Sequence, residues 1–78
     1  MILKPRSRKK ISKGSDLTAR ELEILRQRAM MGNQEIAAAL GITIDTVDMH
    51  LKSARKKLGV KDTTVAVVRA IRLGLIEI

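Results

Sequence analysis

The sequence predicts an all-α fold of four helices preceded by a basic arm. Three observations predict it. Apolar residues recur at spacings of three and four in separate segments; polar caps open those segments and glycines close them; and no stretch alternates apolar with polar residues as a half-buried strand would. The 78 residues suffice for one small domain. They include no Phe, Trp or Tyr, so the core must be built from Leu, Ile, Val, Ala and Met.

The elements follow in order. Residues 1–15 combine charge, Pro5, Gly14 and scattered Ser without a sustained apolar period, and read as a flexible arm; residues 16–78 form the domain. Thr18 and Glu21 have the spacing of a capping box, with Leu17 and Leu22 at the two positions of a hydrophobic staple. The first helix is predicted over about Ala19 to Met31, with Leu22, Leu25 and Ala29 inward and Gly32 as its stop. Asn33 is the expected cap of a short second helix, about Gln34 to Leu40, burying Ile36, Ala37 and Leu40. Gly41 supplies a turn with positive φ. Thr43 caps the third helix, about Ile44 to Leu58, which Gly59 closes. Asp62 or Thr63 opens the fourth, about Thr64 to Leu73, closed by Gly74. Ala66, Val67, Ala70, Ile71 and Leu73 are expected to dock that helix, and the apolar end at Leu75–Ile78 to pack back on the bundle.

Charge is unevenly placed. The formal net charge is +8, and residues 1–15 hold six of the sixteen Lys/Arg and none of the eight Asp/Glu. The arm therefore attracts polyanions, and Arg6, Arg8, Lys9 and Lys10 are candidates to lie along phosphates or enter a minor groove. The alternative is a solvated, disordered leader. Attachment to a membrane surface is disfavoured, because Pro5 interrupts a helix there and only Ile2, Leu3 and Ile11 offer apolar anchors. No apolar run approaches the roughly 20 residues of a membrane span, and Lys4 and Pro5 follow Met1-Ile2-Leu3 too soon for a signal peptide. The absence of cysteine removes disulfides and thiolate chemistry and fits a reducing cytoplasm.

The third helix carries the functional signal. Val47, Leu51, Ala54 and Leu58 make one buried stripe at helical period. The other side presents Asp48, Met49, Lys52, Ser53, Arg55 and Lys56, all able to meet bases or phosphates. Two helices joined by a tight glycine turn, the second polar on one face, have the sequence form of a helix-turn-helix. Met49 lies off the stripe and either touches a thymine methyl or fills space against the second helix. Lys52, Arg55, Lys56 and Lys57 either meet phosphates or form a solvated face favoured by the helix C-terminal dipole. His50, the lone histidine, falls at the edge of the stripe and suits a structural hydrogen bond. Nothing points to an enzyme: the chain has no metal-ligand cluster, phosphate-binding glycine loop or catalytic carboxylate pair, and no cofactor is expected.

Four separated blocks, LTARELEIL, NQEIAAALGIT, TVDMHLKSARKKLGV and AVVRAIRLGLI, together resemble the DNA-binding domain of LuxR/GerE-type transcriptional regulators in order and spacing, over residues 17–76. The resemblance implies a bacterial, four-helix domain whose third helix enters the major groove of double-stranded DNA, working as a dimer joined through the fourth helix. By motif position it implies base contacts from Asp48, Met49 and Lys52. It makes Arg20, Asn33, Thr43, Thr46, Ser53 and Lys56 candidates for backbone contacts. Val65, Val68 and Arg72 mark the candidate dimer face, and RNA polymerase is a further candidate partner. Arg20 is open to a second use, pairing with a carboxylate.

The chain departs from the pattern at Asp48, where the family often has a basic or neutral polar residue. An acid repels phosphate but can accept from the exocyclic amine of cytosine, so Asp48 either specifies sequence or weakens nonspecific binding. It also departs in size, having only the arm where many members carry a receiver or small-molecule domain. It is thus a stand-alone member or a fragment, with Met1 favouring the former. A competing use follows from Asp48: pairing with a larger family member in an inactive heterodimer. The module of sigma factor region four has similar LTxRE and EIAxxL blocks, but AVVRAIRLGLI adds a fourth helix of the LuxR/GerE type.

Overall fold

The computed structural model describes residues 16–77, which form four helices: α1 (Ala19–Arg28), α2 (Asn33–Leu40), α3 (Ile44–Leu58) and α4 (Thr63–Arg72). Arg6, Arg8, Lys9 and Lys10, with the rest of the arm, lie outside the described residues, as does Ile78. The all-α class is as expected, with no strand among the described residues.

α1 starts on the predicted capping box. Thr18 Oγ1 accepts the Glu21 N–H at 3.1 Å, and Glu21 Oε1 accepts the Thr18 N–H at 2.9 Å. Two otherwise orphaned helix donors are thereby satisfied. Leu17 is buried and Leu22 packs against the core. The helix ends at Arg28, three residues before the expected Met31. The Ala29 and Met30 N–H groups bond back to the Arg26 and Gln27 carbonyls, three residues earlier, so the last turn tightens before Gly32 is reached. Gly32 then caps α2 in place of Asn33. Its backbone is extended, with φ −84° and ψ 174°, and its N–H donates to Glu35 Oε1 at 3.0 Å.

The end of α2 and the end of α3 use one device. Gly41 and Gly59 adopt φ of 70° and 74°, in the left-handed region where a Cβ is disfavoured. The N–H of the residue after each glycine reaches back five residues, Ile42 to Ala37 and Val60 to Arg55, both at 3.0 Å. These are Schellman closures, and the apolar residue following each glycine packs on the core. The chain turns sharply at Gly41, so α3 leaves α2 with its first turn already anchored by Ile42. Leu75, after Gly74, repeats the arrangement at the end of α4, and Ile76 is buried as the expected packing of the tail requires.

α3 is the central element and packs against the other three helices. Its predicted stripe is inside: Val47, Leu51, Ala54 and Leu58 are all fully buried. Ile36 and Ala37 of α2 are buried, with Leu40 partly so. In α1 the fully buried pair is Ile24 and Leu25, while Leu22 and Ala29 sit at the margin. In α4 the docking residues are Ala66, Val67 and Ala70; Ile71 and Leu73 were expected among them but are 37% and 46% exposed. The inward line of the helix runs through Ala66, Val67 and Ala70, which leaves Ile71 at its edge, and Leu73 lies beyond the last helical residue as the C-cap. Asp62, rather than Thr63, caps α4, its Oδ1 accepting from the Thr64 and Val65 N–H groups at 2.8 and 3.2 Å. α4 accordingly begins and ends one residue earlier than expected. Among the described residues no helix is long and apolar enough to cross a membrane.

Candidate nucleic-acid interface

The buried stripe of α3 fixes what its other side presents. With one face held against three helices, Asp45, Asp48, Met49, Lys52 and Lys56 are exposed together on the opposite face. From Asp45 to Lys56 the row extends roughly 16 Å at 1.5 Å per residue. A helix of ordinary width presenting such a row fits a B-DNA major groove about 12 Å wide. Met49 is 63% exposed, which rules out its use as core filler against α2. Asp45 did not stand out in the sequence, yet it belongs to this face by its helical angle.

The start of α3 is held by two threonines. Thr43 Oγ1 accepts the Thr46 N–H at 3.1 Å and shares a hydrogen bond with the Thr46 hydroxyl at 2.8 Å. When Thr46 donates in that bond, the exposed Thr43 hydroxyl keeps its proton for an outside acceptor such as a phosphate oxygen. The helix N-terminus adds its partial positive charge at the same edge.

Asn33 and Asp48 meet across the two helices of the motif. The Asn33 Nδ2 donates to Asp48 Oδ1 at 2.7 Å, although the residues are 15 apart in sequence. Asn33 Oδ1 is buried without a hydrogen-bond partner. Asn33 therefore spends its amide on α3 instead of capping its own helix.

Several cations expected near phosphate have internal partners. Lys57 Nζ reaches Glu21 Oε1 and Oε2 at 2.9 and 3.2 Å. Arg55 donates to Thr63 Oγ1 at 2.8 Å, tying α3 to the start of α4. Arg20 lies 3.9 Å from Glu23, one turn away, in an exposed pair; such pairs contribute about 0–1 kcal/mol and are readily given up. Lys52 and Lys56 remain exposed on the outward face.

Glu21 is the buried charged residue of the described chain, at 5% exposure. Burial pushes its carboxyl pKa up, but the Thr18 backbone N–H, the Lys57 ammonium and the Ser53 hydroxyl outweigh that and hold it below the usual value. Ser53, half-buried, thus faces Glu21 as well as the rim of the outward face. His50 is half-buried beside the stripe. On α4, Val65, Val68 and Ile71 are exposed at 47%, 43% and 37%, with Arg72 exposed next to them.

Comparison with known proteins identifies the family of the chain. The family model described as bacterial regulatory proteins, luxR family, matches residues 15–70. The chain is also 48% identical over 62 residues to the response regulator protein VraR of Staphylococcus aureus, and equally to the VraR proteins of Staphylococcus saprophyticus and Staphylococcus epidermidis. These matches cover 78% of this chain and 30% of each relative, so the chain spans less than a third of their length. The segment matched takes in α1, α2 and α3 and most of α4, and by that match the chain belongs to the LuxR family of bacterial regulatory proteins and carries that family's helix-turn-helix domain.

Proposed function

We propose that this chain is a cytoplasmic transcriptional regulator that binds duplex DNA by inserting α3 into the major groove. The observation that carries the reading is the outward face of α3, where Asp48, Met49 and Lys52 stand exposed on a helix whose opposite side is fully buried. Lys52 and Met49 supply a donor and an apolar contact, and Asp48 an acceptor for a base amine. In this reading Arg20, Thr43, Thr46, Ser53 and Lys56 supply backbone contacts, which set register and much of the affinity. Lys52→Ala is expected to weaken binding to a preferred duplex by about 10–100-fold, in line with roughly 1–3 kcal/mol for a base contact. Fluorescence anisotropy with labelled duplex at fixed salt checks it, and an unchanged affinity would remove Lys52 from the interface.

The active form in this reading is a homodimer joined through α4. Val65, Val68 and Ile71 make a ridge, and an open groove of about 310 Å³ lined by Arg28, Ala29, Thr64, Val67, Val68 and Ile71 lies beside it. Two copies related by a two-fold axis would cover both ridges at once. Val68→Lys places a charge on that ridge and should shift the chain toward monomer in sedimentation velocity, keeping its helical circular dichroism and losing the concentration dependence of its melting temperature. A monomeric parent chain, both free and on DNA, would contradict the dimer.

A further inference from the structure

We infer that Asn33 is a positioning residue for base recognition: its amide holds the Asp48 carboxylate in one orientation on the outward face of α3, ready to accept from an exocyclic base amine. The inference rests on the proposed role of Asp48 as a base reader and assigns the residue that makes that role specific.

Four observations support it. The 2.7 Å separation of Asn33 Nδ2 and Asp48 Oδ1 is the length of a charge-assisted hydrogen bond. The two residues stand on different helices, so the bond ties the carboxylate to α2 as well as to its own helix. The reverse orientation of the amide would set its oxygen against a carboxylate, so the donor-forward orientation is the favoured one even though it leaves Oδ1 buried without a partner. Finally, Asp48 is exposed and only its Oδ1 is engaged among the described residues, which leaves Oδ2 to accept from a base. An unrestrained surface aspartate samples several rotamers and must be ordered on binding. One already held loses less, and its acceptor points at one place in the groove.

The chemistry also explains how an acid can belong on this face. A mobile carboxylate would repel every phosphate it approached. A fixed one penalises base pairs that offer only acceptors at that point and accepts from a cytosine or adenine amine. Asn33 thereby turns a general repulsion into a selective one.

The test uses the full chain and duplexes that differ at one base pair, first located by selection with the parent chain. Asp48→Ala should reduce the preference at one base pair by about 10–100-fold. Asn33→Ala should reduce it at the same base pair by about 3–10-fold, the scale of leaving one side chain unordered. The double variant should be no worse than Asp48→Ala alone. Asn33→Ser, a side chain favoured near helix starts and one bond shorter, should behave like Asn33→Ala and stands in if the alanine variant does not fold. If Asn33→Ala instead weakens all duplexes equally and leaves the salt dependence unchanged, Asn33 is a neutral hydrogen-bond donor to a phosphate; the inference then falls while the base-reading role of Asp48 stands. If Asp48→Ala leaves preference unchanged at every base pair, the role of Asp48 and the inference fall together.

Discussion

Leu51→Ala should lower the unfolding free energy by about 2–5 kcal/mol, the usual cost of a cavity left by a deleted leucine side chain. Leu51 is 1% exposed and sits in the middle of the stripe through which α3 meets the other three helices. The core has no aromatic residue to relax into the void, only Leu, Ile, Val, Ala and Met. In a domain of this size the loss corresponds to a fall in melting temperature on the order of 10–20 °C or more. Thermal unfolding followed by circular dichroism measures it. Met49→Ala, two positions away on the same helix but 63% exposed, is the control and should change stability by less than about 0.5 kcal/mol. A similar loss in both variants would contradict the assignment of the two faces of α3.

Glu21→Gln should cost about 1–3 kcal/mol at neutral pH, because the Lys57 ammonium loses a carboxylate that it meets with both oxygens. The glutamine can still accept from the Thr18 N–H, so the capping box is weakened and not lost. The pH dependence gives the sign. The folded-state pKa of Glu21 lies below its ordinary value of 4.5. Its contribution to stability is therefore fully present above about pH 4.5 and is lost as pH falls through the folded-state value. The gap in melting temperature between the parent chain and Glu21→Gln should thus be widest near pH 7 and should narrow under acid. A gap that stayed constant down to pH 3 would show that the charge on Glu21 contributes nothing.

How much of this was legible in the sequence depended on how far apart the interacting residues are. The α3 stripe was legible because Val47, Leu51, Ala54 and Leu58 form an unbroken apolar row, and the caps at Thr18 and Thr43 act within three residues. The core line of α1 was obscured because it begins with a charged residue. Glu21, Ile24 and Leu25 face inward together, and the acid at the head of that row hid Ile24. In α4 five residues were expected to dock, and of these Ala66, Val67 and Ala70 are buried while Ile71 and Leu73 are left outside. Glycines followed at once by an apolar residue, as at Gly41-Ile42, Gly59-Val60 and Gly74-Leu75, were a local signal of Schellman closure.

The candidate interface divides in the same way. Its outward face follows from helical period alone, and Asp45 could have been placed there by counting. The pairing of Lys57 with Glu21 joins residues 36 apart, and that of Asn33 with Asp48 joins residues 15 apart. No periodicity encodes such contacts, because they depend on how the helices cross. Both change the chemistry expected of the side chains involved: one withdraws a cation from the surface, and the other engages an acid that would otherwise be mobile.

The most direct test of sequence reading by α3 is a selection of bound sequences from random duplex DNA, run with the full chain at near-physiological salt. The expected result is an enriched motif of two half-sites related by a two-fold axis, with the preference within each half-site carried by the base pairs facing Asp48, Met49 and Lys52. Binding without any enriched sequence would contradict it, and would leave charge attraction as the whole of the interaction.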